Sequence, residues 1–147
     1  MFRSYMFRVS CDLWLLVNYM KINRFEDLEI WQEARELCKI IYEITSASPF
    51  SQDFKFRDQV RASAGSIMDN IAEGYDRGGN KEFIQFLSVS RGSAAELRSQ
   101  SYRAFDVKYI TENQLDELLK RTDVISRKIY NLMQHLKNTD IKGLKFM

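Results

Sequence analysis

An all-α fold, an antiparallel up-down-up-down four-helix bundle, is what this sequence predicts, and three observations predict it. Four long segments repeat apolar residues at steps of three and four, the spacing that lines one face of a helix. A single proline and six glycines in 147 residues leave little material for loops. Hydrophobic residues at 45% and charged residues at 29% supply one core and the polar surfaces of amphipathic helices. By length the chain is one domain.

Residues 1–24 stand apart. In "MFRSYMFRVSCDLWLLVNYMKIN" arginines precede an apolar patch, as in a signal peptide, but the patch at 13–17 is short and no small-x-small cleavage site follows. It also falls far below the roughly 20 apolar residues that span a bilayer. We expect a poorly ordered extension, translated from upstream of a true start near Met20.

The first helix is expected over 27–47, with Asp27 as N-cap and Trp31, Ala34, Cys38, Ile41 and Thr45 on its inner face. Ile30, Leu37 and Ile44 widen that stripe. Pro49 disfavours helical geometry at Ser48 and ends the helix. The second helix, 52–73, has Ser51 as its cap and Phe56, Val60, Ala64, Ile67 and Ile71 inside. Its centre, "RASAGS", holds five small residues in succession, which predicts a close crossing with a neighbour. Gly65 costs about 1 kcal/mol relative to alanine in a helix, so close approach is expected there.

The third helix, 80–106, opens on Asn80 as N-cap, with Phe83, Leu87, Ser90, Ala94, Leu97, Ser101 and Ala104 as its seam. The fourth, 111–138, opens on "TENQ", a capping box of Thr111 and Gln114. Leu115, Leu118, Thr122, Ile125, Ile129, Leu132 and Leu136 then hold a heptad seam. Residues 139–147 form a basic tail.

Charge is distributed unevenly. The net +2 comes from the first 24 residues, where four basic side chains face one acidic; the rest of the chain is −1. Residues 25–45 carry six acidic and two basic side chains, whereas 120–147 carry seven basic and two acidic. In an up-down-up-down bundle these segments meet, and each suits its own helix dipole. Overall basicity is therefore a weak argument for nucleic-acid binding.

Catalytic groups are scarce. His135, the single histidine, sits near the end of the fourth helix, where it suits the dipole. No His/Cys cluster suits zinc, and no Glu-x-x-His motif suits a di-iron centre. Cys11 and Cys38 do not make a disulfide framework, and Cys38 reads as a buried thiol in a reducing cytoplasm. The sequence predicts no enzyme, cofactor, metal or membrane partner. The stretch "NIAEGYDRGGNKEFIQFL" invites comparison with a phosphate loop. Gly74 and Gly79 have the P-loop separation, but Asn80 intervenes before Lys81, Glu82 follows, and the preceding segment is helical. Gly74 instead suits the left-handed C′ position closing the second helix.

Taken in order, "FEDLEIWQEA", "SIMDNIAEG", "KEFIQFL" and "SRGSAAELRSQ" resemble the 23S rRNA intervening-sequence four-helix-bundle family, over about residues 24–147. Met68 and Ala62 depart from a common pattern of that family, so the chain resembles a sub-branch. The resemblance implies a bacterial cytoplasmic bundle that assembles as a ring, typically a homopentamer, and brings no catalytic residues. More distantly the chain is similar to the accessory bundle proteins of diversity-generating retroelements, whose basic rings bind nucleic acid.

Three functional expectations follow. The first is a non-enzymatic oligomeric scaffold or adaptor, with Tyr42, Phe54, Phe86, Tyr102, Tyr109 and Tyr130 as surplus apolar surface for contacts between copies. Asn70, Glu73, Gly74, Arg77, Arg91 and Glu96, with Gln100, form a structural or interaction network around the second turn. The second is weak, sequence-nonspecific RNA or DNA binding through Arg57, Arg61, Arg98, Arg103, Lys120, Arg121, Arg127 and Lys128. The third is a small-molecule or hydrolytic site at the turn, centred on Glu73.

Overall fold

The computed structural model describes residues 22–139; the expectations for the leading segment up to residue 21 and for the tail from residue 140 lie outside them. Four α-helices account for most of the described chain: α1 (Glu29–Ser46), α2 (Phe54–Arg77), α3 (Asn80–Asp106) and α4 (Glu112–Asn138). No strand occurs among the described residues. α1 packs on α2, α2 on α3, α3 on α4, and α4 closes back on α1.

The apolar spacing carries through to the core. Ile41, Ile67, Ile71, Leu87, Leu97, Ile125 and Ile129 are at most 1% exposed, so every helix delivers its stripe to one interior. Met133, rather than Leu132, completes the seam of α4. Residues 22–24, assigned to the extension from sequence, join the fold: Ile22 packs against the core and the Asn23 N–H donates to Asp27 Oδ2 at 3.2 Å.

Several helix ends move from their expected places, each because a large side chain is buried there. Asp27 does not cap α1. It ends a 3-10 turn, Phe25–Asp27, and Leu28, 3% exposed, occupies the cap position with no side-chain bond. Ser51 lies in a second 3-10 turn, Phe50–Gln52, which seats Phe50 in the core, and Asp53 caps α2 by accepting from the Phe56 N–H at 3.2 Å. α2 continues past Glu73 to Arg77 because Tyr75 is buried edge-on against Phe83, with ring centres 6.0 Å apart. Gly78, at φ 87°, therefore takes the left-handed closing position, and Gly79 rather than Asn80 is the N-cap of α3, with Asn80 its first helical residue.

α3 ends in a Schellman motif. The Tyr109 N–H donates to Ala104 O at 2.8 Å and the Lys108 N–H to Phe105 O at 2.9 Å, with Lys108 at φ 65°. The capping box of Thr111 and Gln114 forms as the sequence predicts.

Candidate functional site

The closest packing lies between α2 and α3. The Ser90 hydroxyl donates to the Ile67 carbonyl at 2.8 Å, and Ser66 and Ser93 share a hydroxyl bond of 2.8 Å. Such bonds require small residues on both helices, as "RASAGS" leads one to expect. Gly65 is not the point of contact, since a Cβ there would meet nothing within 4 Å. Gly74 is. A Cβ at Gly74 would stand 2.5 Å from Phe86 Cβ, so this buried residue, in the last turn of α2 rather than at C′, exists to let Phe86 in.

Around that crossing the network expected from sequence forms in part. Asn70 Nδ2 donates to Ser66 O at 2.7 Å and to Ser66 Oγ at 3.0 Å, which ties it to the serine pair. Arg77 pairs with Glu73 at 2.8 Å and lies over the Phe86 ring. Arg91 does not join them. It reaches α4, where Nε donates to Ser126 Oγ at 3.2 Å and the guanidinium covers Tyr130 at 4.8 Å. Glu96 lies farther along α3, accepting a long 3.5 Å bond from Gln100.

Most of the candidate nucleic-acid contacts have work inside the molecule. Arg57 pairs with Asp58, donates to Ser51 O and lies over Phe54. Arg61 donates to Thr45 Oγ1 at 2.8 Å and Ser46 Oγ at 3.1 Å, and its guanidinium stacks 3.9 Å from the centre of the Tyr42 ring. Arg98 donates to Leu119 O at 2.8 Å, joining α3 to α4. Arg121 and Arg127 pair with Glu117 and Asp123 one turn away. Lys128 Nζ reaches Glu29 at 2.6 Å and Glu33 at 2.5 Å, which is the meeting of acidic α1 with basic α4 that the charge distribution predicts. Burial works against the Lys128 ammonium, but these two carboxylates outweigh it and raise its pKa. Lys120 and Arg103 are exposed and lack ion-pair partners among the described residues.

One end of the molecule concentrates exposed apolar side chains. Where α1 ends, α2 begins and α3 ends, Tyr42, Phe54 and Val107 are 61%, 65% and 55% exposed, with the exposed Tyr102 and Phe105 just before Val107 in sequence. Tyr130 is also exposed, on α4. Phe86 and Tyr109 are only partly exposed. Phe86 lies beneath Arg77, and Tyr109 is wedged against Phe50 and Phe56 while its hydroxyl donates to Asp53 Oδ2 at 3.0 Å. Asp53, which both caps α2 and holds Tyr109, was not singled out from sequence. An aspartate directly before the apolar spacing of α2 is a cap signal, but nothing local signals the tyrosine 56 residues away.

Burial, followed by the charge of Asp69, pushes the Cys38 thiol up to about 11, and its Sγ contacts Ala64 O at 3.2 Å. It is an inert packing group. Among the described residues no cluster of three or more His, Cys, Asp or Glu side chains is placed to hold a metal ion. None of the described helices is long and apolar enough to cross a membrane.

Comparison with known proteins agrees with the motifs. Residues 26–131 match the model of the 23S rRNA-intervening sequence protein family. A crystal structure of a protein with unknown function from the S23 ribosomal protein family of Bacteroides thetaiotaomicron VPI-5482 is similar, with a TM-score of 0.65 and 19% identity over 71% of this chain and 98% of that one. No curated protein matches.

Proposed function

We propose that this chain, which belongs to the 23S rRNA-intervening sequence protein family, is a non-enzymatic oligomeric scaffold or adaptor of the cytoplasm. The observation that carries the reading is the exposed apolar end formed by Tyr42, Phe54, Tyr102, Phe105 and Val107. Aromatic side chains with arginines beside them are the composition of protein interfaces, and here Arg57 and Arg61 lie over Phe54 and Tyr42. The helices run as an antiparallel up-down-up-down bundle in this reading. Cross-helix pairs support that order, because as one partner's number rises the other's falls: Cys38 with Ala64 and Thr45 with Arg61, Ser66 with Ser93 and Gly74 with Phe86, Arg91 with Ser126 and Arg98 with Leu119.

Copies related by head-to-tail contacts close into a ring, and a homopentamer is the ring that the family resemblance implies. Light scattering and native mass spectrometry of the purified protein test this. The expected mass is a whole multiple of the chain, five for the pentamer, and a monomer that co-purifies with no partner overturns the scaffold reading.

A second reading, weak nucleic-acid binding, draws on the same arginine–aromatic pairs, since exposed rings beside guanidiniums suit stacked single-stranded bases. Its electrostatic form requires affinity that falls steeply with salt. Binding insensitive to salt, or none at low salt, removes it.

A further inference from the structure

A groove of about 450 Å³ runs along the outer side of α2 and α3, lined among others by Gln59, Ser63, Ser66, Glu96, Gln100 and Arg103. Its chemistry is set at three points. Glu96 and Arg103 are one heptad apart on α3, about 10 Å along the helix axis, and neither has an ion-pair partner among the described residues. The groove thus carries an unneutralised carboxylate toward one end and a guanidinium toward the other. Arg103 lies over the Phe56 ring at 4.5 Å, which holds it in place while its N–H groups have no hydrogen-bond acceptor among the described residues.

The third point is Gln100. It is 4% exposed, its Oε1 has no donor, and its Nε2 gives only the 3.5 Å bond to Glu96. A buried carboxamide with its acceptor unmet is uncommon, because the group has left water without replacing its hydrogen bonds. Gln100 lines the groove, and its broad terminal torsion leaves the carboxamide free to exchange its long bond to Glu96 for partners there. What satisfies a carboxamide on both sides is another amide, which offers one donor and one acceptor.

We propose that this groove binds a short extended peptide with free termini. Its carboxylate lies on the Arg103 fork, its ammonium on Glu96, and a backbone amide between them on Gln100. Three extended residues span about 10 Å, close to the axial rise between Glu96 and Arg103. Arginine suits a carboxylate because two parallel N–H groups meet its two oxygens. The Ser63 hydroxyl donates to Gln59 O at 3.1 Å and keeps its lone pairs for a peptide N–H, and the small side chains of Ser63 and Ser66 leave room for the backbone. Peptide titration reads the groove and light scattering reads the assembly, so the failure of this proposal is distinguishable from the failure of the scaffold reading.

The test is a titration of the full chain with trialanine, its C-terminal amide and its N-acetyl form, followed by two-dimensional amide NMR. Trialanine should give saturable shifts at the Gln100 side-chain amide and the Ser99 backbone, and each blocked peptide should bind at least tenfold more weakly. In Arg103→Gln the difference between trialanine and its C-terminal amide should vanish; in Glu96→Gln the difference from the N-acetyl form should vanish. Both side chains are on the surface, and circular dichroism checks that each variant folds. Arg103→Lys, which keeps the charge and loses the fork, should weaken trialanine while retaining its advantage over the amide. No saturable shift, meaning a groove that holds water only, overturns the proposal. So do equal affinities for the three peptides or an Arg103→Gln variant that still tells them apart.

Discussion

At Gly74 a single hydrogen in place of a methyl group decides how near α2 comes to α3. A Cβ would sit 2.5 Å from Phe86 Cβ and 3.0 Å from Phe83 Cδ2, and the first of these is anchored directly to the backbone and has no torsion with which to retreat. Gly74→Ala should therefore destabilise the fold by about 1–3 kcal/mol through overpacking, despite alanine's better helix propensity. Urea denaturation measures it, and a variant as stable as the parent would show that the helices separate at little cost. Adding Phe86→Ala should recover part of the loss by reopening the space. The sequence contains this glycine in plain view, yet it reads as a helix terminator, because the signal for a left-handed closing residue and the signal for a close approach are both simply glycine. Burial of Tyr75 one position later distinguishes them, and burial is a property of the assembled helices.

At the scale of the element, α3 shows what local sequence does and does not determine. Its seam from Phe83 to Ala104 is buried throughout, since a periodicity held over six turns admits one orientation. Its polar side chains follow no such rule. Arg91 and Arg98 lie one heptad apart, which places them on one face, but their partners Ser126 and the Leu119 carbonyl are on α4 and no pattern within α3 announces them. By contrast, the pairing of Lys128 with Glu29 and Glu33 is legible, because opposite charge accumulates over whole segments whose meeting the topology dictates. The end of α3 supplies a prediction. Lys108 closes the Schellman motif at φ 65°, a conformation in which its Cβ crowds the backbone. No hydrogen bond or ion pair of its side chain occurs among the described residues to offset this. Lys108→Gly should stabilise the protein by about 0.5–1 kcal/mol after glycine's greater unfolded-state entropy is counted. A rise in the thermal midpoint with unchanged helicity is the expected result, and a fall would mean that the lysine contributes contacts of its own.

For the whole molecule, stability and assembly place different demands on the same surface, and the exposed end separates them. Tyr42 and Phe54, at 61% and 65% exposure, contribute little to the interior. Each instead presents a ring that a guanidinium already orders, Arg61 over one and Arg57 over the other. Removing exposed side chains of this kind ordinarily changes folding stability by no more than about 0.5 kcal/mol apiece. If the same rings are covered by a neighbouring copy, truncation removes about 1.5–3 kcal/mol of buried apolar surface from each contact. The double variant Tyr42→Ser, Phe54→Ser should accordingly keep the helical circular dichroism of the parent while light scattering shows a smaller species, more so on dilution. A ring amplifies the effect, because every closed interface carries the same lesion. An unchanged mass would remove this end from the interface and move the search to Tyr130 and the α4 surface around it. Loss of helicity together with mass would instead show that the two rings support the fold.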